Sequence, residues 1–268
     1  NKNEFIRIIE RSIEFKSESQ KNILNNSLQN KTMAMIFKKN STRTRVAFET
    51  AMVKLGGHAI FLSSDTTQIT RGENLADTAK VLSGMVDIIM IRTHNHGEVE
   101  ELANNSSVPI INGLTEKYHP CQLLADMQTY HEERGSIEGK TVAWIGDGCN
   151  MCNSYINAAK ILNFKLKIST PSGFEPDHKT LMLAKDNVEL CDLPGQAVED
   201  CDLVTTDVWT SMGDENESEK RKQLFKGYQI NQNLFDKAKS DAIFLHCLPA
   251  HRGEEVEADV IDGPRSRV

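Results

Sequence analysis

From residue 32 onward, short apolar runs of strand length alternate with longer amphipathic segments, and this confines the chain to β-α units built on parallel strands. The strand-like runs fall at 33–37, 59–62, 88–91, 109–112, 141–145, 166–170, 203–208 and 242–245. Helical periodicity lies between them at 45–55, 75–85, 97–103, 122–133, 154–162 and 219–224, and Phe5, Ile6, Ile9 and Ile13 give the N-terminal segment a helical pattern too. Eight strands suggest two sheets. The polar stretch 131–136, followed by Gly139, separates a long helix from a fresh strand and is the best break. The expected fold is α/β with two domains, 1–135 and 136–268, each a parallel β-sheet flanked by helices.

With 268 residues, 39% hydrophobic and 26% charged, the chain can bury a core, and disorder or a fibrous repeat is excluded. Nothing approaches the roughly 18 consecutive apolar residues of a membrane span. A formal net charge of −7 argues against a nucleic-acid platform or a basic membrane-surface protein, so an anionic ligand must meet a local cluster of positive groups. The six cysteines are scattered through a chain too long to need staples, which points to a reduced compartment without disulfides. No apolar signal core opens the sequence, and a cytoplasmic location is expected. The run Asp214-Glu215-Asn216-Glu217 reads as a solvated loop.

In open α/β sheets ligands bind beyond the carboxyl ends of strands, so the segments after each apolar run matter most. After 33–37 comes Lys38-Lys39-Asn40-Ser41-Thr42-Arg43-Thr44-Arg45 and then a helix. Hydroxyls and N–H groups at a helix N-terminus beside arginines suit a phosphate; the plainer reading is an N-cap by Ser41 or Thr42 with solvated arginines. After 88–91 comes Arg92-Thr93, and after 109–112 a loop ends in His119-Pro120-Cys121-Gln122. A lone histidine is usually structural. Three strand ends offering hydroxyl, guanidinium, imidazole and amide donors together describe a site for a small charged phosphate with a carbonyl to polarise.

In the second half, Gly146-Asp147-Gly148-Cys149-Asn150-Met151 superficially suggests a dinucleotide fingerprint and a nicotinamide-dependent oxidoreductase. Met151 stands where the third glycine belongs, and the next strand ends in Thr170 without a ribose-binding acid. Cys149 and Cys152 form a C-x-x-C with no second ligand pair, which disfavours zinc. The remaining ends offer Asp207, a carboxylate for an ammonium group, and then His246-Cys247-Leu248-Pro249. Because adjacent strand residues face opposite ways, His246 is a poor base for Cys247, and a non-nucleophilic role fits that thiol better.

Taken together, these segments resemble the ornithine carbamoyltransferase family. The carriers are STRTR at 41–45, the loop from Gln68 to Glu73 with Arg71-Gly72-Glu73, Arg92-Thr93, HPCQLLAD at 119–126, GDGCNMCNS at 146–154, DVWTSMG at 207–213 and HCLPAHRGEEV at 246–256. They stand in family order from about residue 31 to the end. The resemblance implies an N-terminal carbamoyl-phosphate domain, a C-terminal ornithine domain, a homotrimer with sites at subunit interfaces, and no metal or organic cofactor.

It further implies that Ser41, Thr42, Arg43 and Thr44 hold phosphate, with Gln68, Arg92, His119 and Gln122 completing the carbamoyl phosphate site. Arg92 and His119 would polarise the carbamoyl oxygen. Asn150, Asp207, Ser211 and Met212 would bind the amino-acid end of ornithine, while Cys247 and Leu248 line its reacting δ-nitrogen. Aspartate carbamoyltransferases, the sister family, share STRT and HPxQ but typically carry HPLPR where this chain has His246-Cys247-Leu248-Pro249-Ala250. Putrescine and acetylornithine are further acceptors within the superfamily. Family members usually continue past DGPRSRV at 262–268 into a helix bearing an Asn-Arg pair, and this sequence stops at Val268.

Overall fold

The computed structural model describes residues 1–63, 73–210 and 218–268. The chain divides into two compact units, Glu4–Cys121 and Gln122–Val268, the latter with Asn1–Asn3.

In the first unit the order is α1 (Lys2–Gln20), β1 (Thr32–Phe37), α2 (Thr42–Lys54), β2 (His58–Ser63), α3 (Leu75–Ser83), β3 (Ile88–Arg92), α4 (His96–Asn105) and β4 (Ile110–Leu114). The strands form a parallel sheet in the order β2-β1-β3-β4. Alternation sends Ala34, Ile36, Ile89 and Ile91 into one apolar cluster and Met33, Met35, Phe37 and Met90 into another. Both faces of this sheet are therefore covered, as its near-continuous apolar strands require. Asn74 and Asn95 start α3 and α4 by accepting from the N–H groups of Ala76 and Gly97.

The second unit opens with most of α5 (Pro120–Arg134). It continues with β5 (Thr141–Ile145), α6 (Asn150–Leu162), β6 (Lys165–Ser169), α7 (His178–Leu183), β7 (Val188–Leu190), α8 (Pro194–Val198), β8 (Leu203–Thr206), α9 (Ser218–Phe225), α10 (Gln232–Phe235), β9 (Ile243–His246) and α11 (Ala258–Ile261). Its parallel sheet runs β7-β6-β5-β8-β9. Trp144 is fully buried, with its indole N–H donating to the Asp147 carbonyl at 2.9 Å. α6 is buried at Met151 through Ile156, an apolar helix lying under the loop that follows β5.

The α/β architecture with two helix-flanked parallel sheets matches the expectation. The sequence reading omits β7, a three-residue strand that pairs on one side only, with Leu190 57% exposed. The run expected to reach 208 leaves the sheet at Thr206. In both sheets the chain starts inside and reverses direction: β1 leads to β2 on one side and β3 lies on the other, and β5 leads to β6 with β8 opposite. Such switch points leave a crevice above the strand ends, where open α/β sheets bind ligands.

Candidate active site

In the first unit the site grows from the β1 and β3 ends, adjacent through the Phe37–Arg92 pairing. Ser41 caps α2: its hydroxyl accepts from the Thr44 N–H at 3.3 Å and donates to Thr44 Oγ1 at 3.0 Å. Arg92, 5% exposed, sends Nη1 to Thr44 Oγ1 at 3.1 Å. The capping Ser41 hydroxyl and the Arg92 guanidinium both donate to the Thr44 hydroxyl, so the N-cap reading of this loop is true without removing it from a ligand site. Among the described residues, the buried Nε of Arg92 has no hydrogen-bond partner, a donor that a ligand oxygen would satisfy. The other arginine of the motif, Arg45, is engaged elsewhere, with Glu49 at 2.9 Å and over the Phe61 ring at 3.8 Å. Lys38 is neutralised by Glu98 at 2.7 Å, and Glu98 also accepts from the Thr93 hydroxyl.

Burial and the nearby Arg43 charge push Arg92 down to about 10. Burial and the Arg92 charge push His119 down to about 4. At neutral pH Arg92 is a cation and His119 an uncharged imidazole that can donate one N–H and accept at the other nitrogen. Both shifts describe donors held away from water in a positive surrounding, where a multiply charged anion relieves the mutual repulsion of the cations. Thr42 and Arg43 lie exposed on the first turn of α2.

The second unit builds a site of opposite sign from the ends of β5, β8 and β9. Asp207 follows β8 and takes the Val208 N–H on Oδ1 at 2.7 Å. The Cys247 thiol donates to the same oxygen at 3.0 Å, and the Cys149 thiol approaches Oδ2 at 3.6 Å. Burial and the Asp207 charge push both thiols well above their ordinary range. Cys247 is therefore a protonated hydrogen-bond donor rather than a thiolate nucleophile. Leu248 sits at φ +54°, an uncommon conformation for leucine, with its N–H donating to His246 Nδ1 at 2.9 Å. That bond leaves the His246 proton on Nε2, which lies 3.3 Å from Glu255 Oε1 inside the unit. Asn150 begins α6. The glycines before it serve packing: a Cβ on Gly148 would stand 2.3 Å from Pro176 N, and the Gly146 and Gly148 N–H groups are taken by the Ser169 and Phe174 carbonyls. Those amides cannot cradle a pyrophosphate, which removes the basis for a dinucleotide site.

Gln122 and Asp126 occupy one face of α5, with Gln122 Nε2 donating to Asp126 Oδ1 at 2.9 Å. The Tyr155 hydroxyl donates to Asp126 Oδ2 at 2.8 Å. Asp126 is buried, and burial pushes its carboxyl up to about 6 against the opposing effect of those two hydrogen bonds.

The sequence-based site residues thus gather as Ser41, Thr44 and Arg92, joined by hydrogen bonds, with Arg43 and His119 in their field, and as Asp207 with Cys247. Gln68, Ser211 and Met212 lie outside the described residues, as does the run 214–217. Asp126 and Tyr155 were not among the expected site residues. The signal for Asp126 was its place four residues after Gln122, an acid on the buried side of a helix. Among the described residues, His251, Glu254 and Glu255 form a group whose ligand atoms lie within 4.8 Å of one another. Lys222 already pairs with Glu254 at 3.0 Å, and the His251 backbone N–H donates to Glu255 at 2.6 Å, so both carboxylates of the group are already partnered within the protein.

Comparison with known proteins agrees with this two-part layout. Residues 1–132 match the carbamoyl-P binding domain of the aspartate/ornithine carbamoyltransferases, and residues 138–268 match their Asp/Orn binding domain. The chain is 55% identical over 265 residues to an ornithine carbamoyltransferase of Hydrogenovibrio crunogenus, covering 99% of this chain and 88% of the relative. It is 52% identical over 263 residues to an anabolic ornithine carbamoyltransferase of Pseudomonas aeruginosa, covering 98% and 86%. The solved ornithine carbamoyltransferase of Pyrococcus furiosus superposes with a TM-score of 0.96 at 47% identity, covering 100% of this chain and 88% of that one. The chain belongs to the aspartate/ornithine carbamoyltransferase family.

Proposed function

We propose that this carbamoyltransferase family member moves the carbamoyl group of carbamoyl phosphate to the δ-amine of L-ornithine, giving L-citrulline and phosphate. The observation that carries the reading is that one unit holds a cationic cluster, buried Arg92 with Arg43 and neutral His119, while the other holds an acidic cluster in which Asp207 is held beside the protonated Cys247 thiol. The first suits a dianionic phosphoryl group with a carbonyl to polarise. The second suits the ammonium of an amino acid, with a thiol in place of a second negative charge.

The family resemblance assigns Ser41, Thr42, Arg43, Thr44, Gln68, Arg92, His119 and Gln122 to carbamoyl phosphate, and Asn150, Asp207, Ser211, Met212, Cys247 and Leu248 to ornithine. In this reading residues 1–135 form the carbamoyl-phosphate domain and 136–268 the ornithine domain. The neutral δ-amine attacks the carbamoyl carbon. Arg92 and the imidazole N–H of His119 donate to the oxygen that becomes an oxyanion; collapse breaks the C–O bond to phosphate, which takes the proton released by the δ-nitrogen and leaves into the hydroxyl and arginine donors of the α2 terminus. Attack requires an uncharged amine, and the half-buried, un-ionised Cys247 thiol supplies a neutral neighbour for it.

The Pseudomonas aeruginosa relative, described as anabolic, supports a place in arginine biosynthesis. The homotrimer is carried over from the family resemblance; Val46, Val53 and Ile60, at 55%, 70% and 42% exposure, are apolar side chains on α2 and β2 that an assembly of copies would cover. The bacterial relatives support a cytoplasmic setting. No helix among the described residues is long and apolar enough to cross a membrane.

The test supplies carbamoyl phosphate with ornithine, aspartate, putrescine or acetylornithine in parallel and follows each carbamoylated product. Turnover confined to ornithine is expected. Turnover with another amine would overturn the acceptor assignment, and silence with all four would overturn the enzymatic reading.

A further inference from the structure

Resting on that reading, we infer that Asp126 is a positioning residue that fixes which end of the Gln122 amide meets the carbamoyl group, and so selects carbamoyl phosphate over acyl phosphates of the same shape. A carboxylate has only acceptors to offer, so the Gln122 atom 2.9 Å from Asp126 Oδ1 must be the amide nitrogen. The Gln122 carbonyl oxygen is thereby turned away from Asp126 as a fixed acceptor. A carbamoyl group presents N–H donors to such an acceptor, whereas an acetyl group presents a methyl and leaves it unsatisfied. Without Asp126, the amide rotates and offers donor or acceptor indifferently.

Asp126 is itself fixed. It is 5% exposed, and its second oxygen takes the Tyr155 hydroxyl at 2.8 Å. Tyr155 lies on α6 and is fully buried, so the chain Tyr155–Asp126–Gln122 runs from the core of the second unit to the first turn of α5. A carboxyl whose proton affinity is raised by burial costs the fold stability at neutral pH, where an asparagine of the same shape would not. Retaining a charge in such a place makes sense where an acceptor is required at neutral pH, above the value of about 6 at which this carboxyl takes up a proton and becomes a donor.

The experiment is a double-mutant cycle with Gln122→Ala, Asp126→Asn and the combined variant, using full-length protein and steady-state kinetics with carbamoyl phosphate and ornithine. Asp126→Asn is expected to lower kcat/KM for carbamoyl phosphate about 10- to 100-fold, the usual effect of losing a hydrogen bond to a charged group. The KM for ornithine should stay within about twofold, a range below one hydrogen bond's worth. Acetyl phosphate should compete weakly with carbamoyl phosphate on the wild type and better on Asp126→Asn. In the Gln122→Ala background Asp126→Asn should add nothing further, because the residue acts through Gln122. The melting temperature of Asp126→Asn should not fall. Additive losses, or a lowered melting temperature with both substrates equally affected, would show a merely structural acid and overturn the inference. Should Asp126→Asn fail to fold, Tyr155→Phe in the same cycle decides: a smaller loss confined to carbamoyl phosphate and absent in Gln122→Ala supports the inference, and an additive loss overturns it. Absence of citrulline formation by the wild type would instead bring down the functional reading. Turnover with a different amine would leave this inference standing, since it concerns only the carbamoyl half.

Discussion

The strand ends of the first unit gather cations and those of the second gather an acid with thiols, yet burial acts on both in the same sense. It disfavours whatever charge a group carries: Arg92 and His119 move down, to about 10 and about 4, while Cys247 and Cys149 move up. One half therefore holds a fixed cation beside a neutral imidazole, and the other a carboxylate beside neutral thiols. The lesson is that the two halves are specialised by the sign of the charge left uncancelled. Each charge is suited to the opposite charge of its own ligand.

The strongest challenge to this division is Arg92→Ala. Loss of an oxyanion donor costs about 100- to 1000-fold in kcat. Retention of near-normal turnover in steady-state assays would remove Arg92 from that role. On the acidic side, Asp207→Asn should raise the KM for ornithine about 10- to 100-fold, the range for a hydrogen bond to a charged group. Burial raises the Cys247 proton affinity most and the Asp207 charge adds to it; the same change removes that second contribution, so alkylation of Cys247 at fixed pH should quicken, as mass spectrometry of the labelled peptide would show.

Stability against pH sharpens the contrast, because one group in each unit bends the curve in opposite directions. Between about 6.5 and about 4 the unfolded chain protonates His119 while the folded chain does not, so this group makes the fold lose stability as pH falls. Asp126 is protonated in the folded chain first, near 6 against 3.8, so it makes the fold gain stability as pH falls through that window. Each contribution is on the order of 2–3 kcal/mol. Thermal melts from pH 7 to pH 4 should show His119→Asn less acid-sensitive than wild type and Asp126→Asn more so. The smallest effect expected is that of Thr44→Val, which removes one partner of Arg92 and should cost about 1 kcal/mol, a roughly fivefold rise in the KM for carbamoyl phosphate.

How legible the site was depended on whether a residue announces itself locally. Ser41 to Thr44, Arg92 and Asp207 follow apolar strands, and the rule that ligands gather at strand ends finds them directly. Gly146 and Gly148 were ambiguous, because a glycine that lets a ligand approach and one that lets a loop approach look alike; only the position of Pro176 against Gly148 decides. Val188-Glu189-Leu190 alternates as an edge strand should, but three residues are too few for the pattern to stand out. Tyr155 fell inside the helix expected at 154–162 with nothing to single it out; it is fully buried, and its hydroxyl gains significance only when α6 brings it to Asp126. Periodicity reports which face is buried, and it does not report which buried polar atoms meet across elements.

The most direct test of the division between halves is to measure both substrates' KM and kcat in Arg92→Ala and Asp207→Asn side by side. The account predicts a crossed pattern. Arg92→Ala loses kcat and its apparent affinity for carbamoyl phosphate with the KM for ornithine near wild type, and Asp207→Asn loses ornithine affinity with that for carbamoyl phosphate intact. Parallel losses for both substrates in both variants would contradict it.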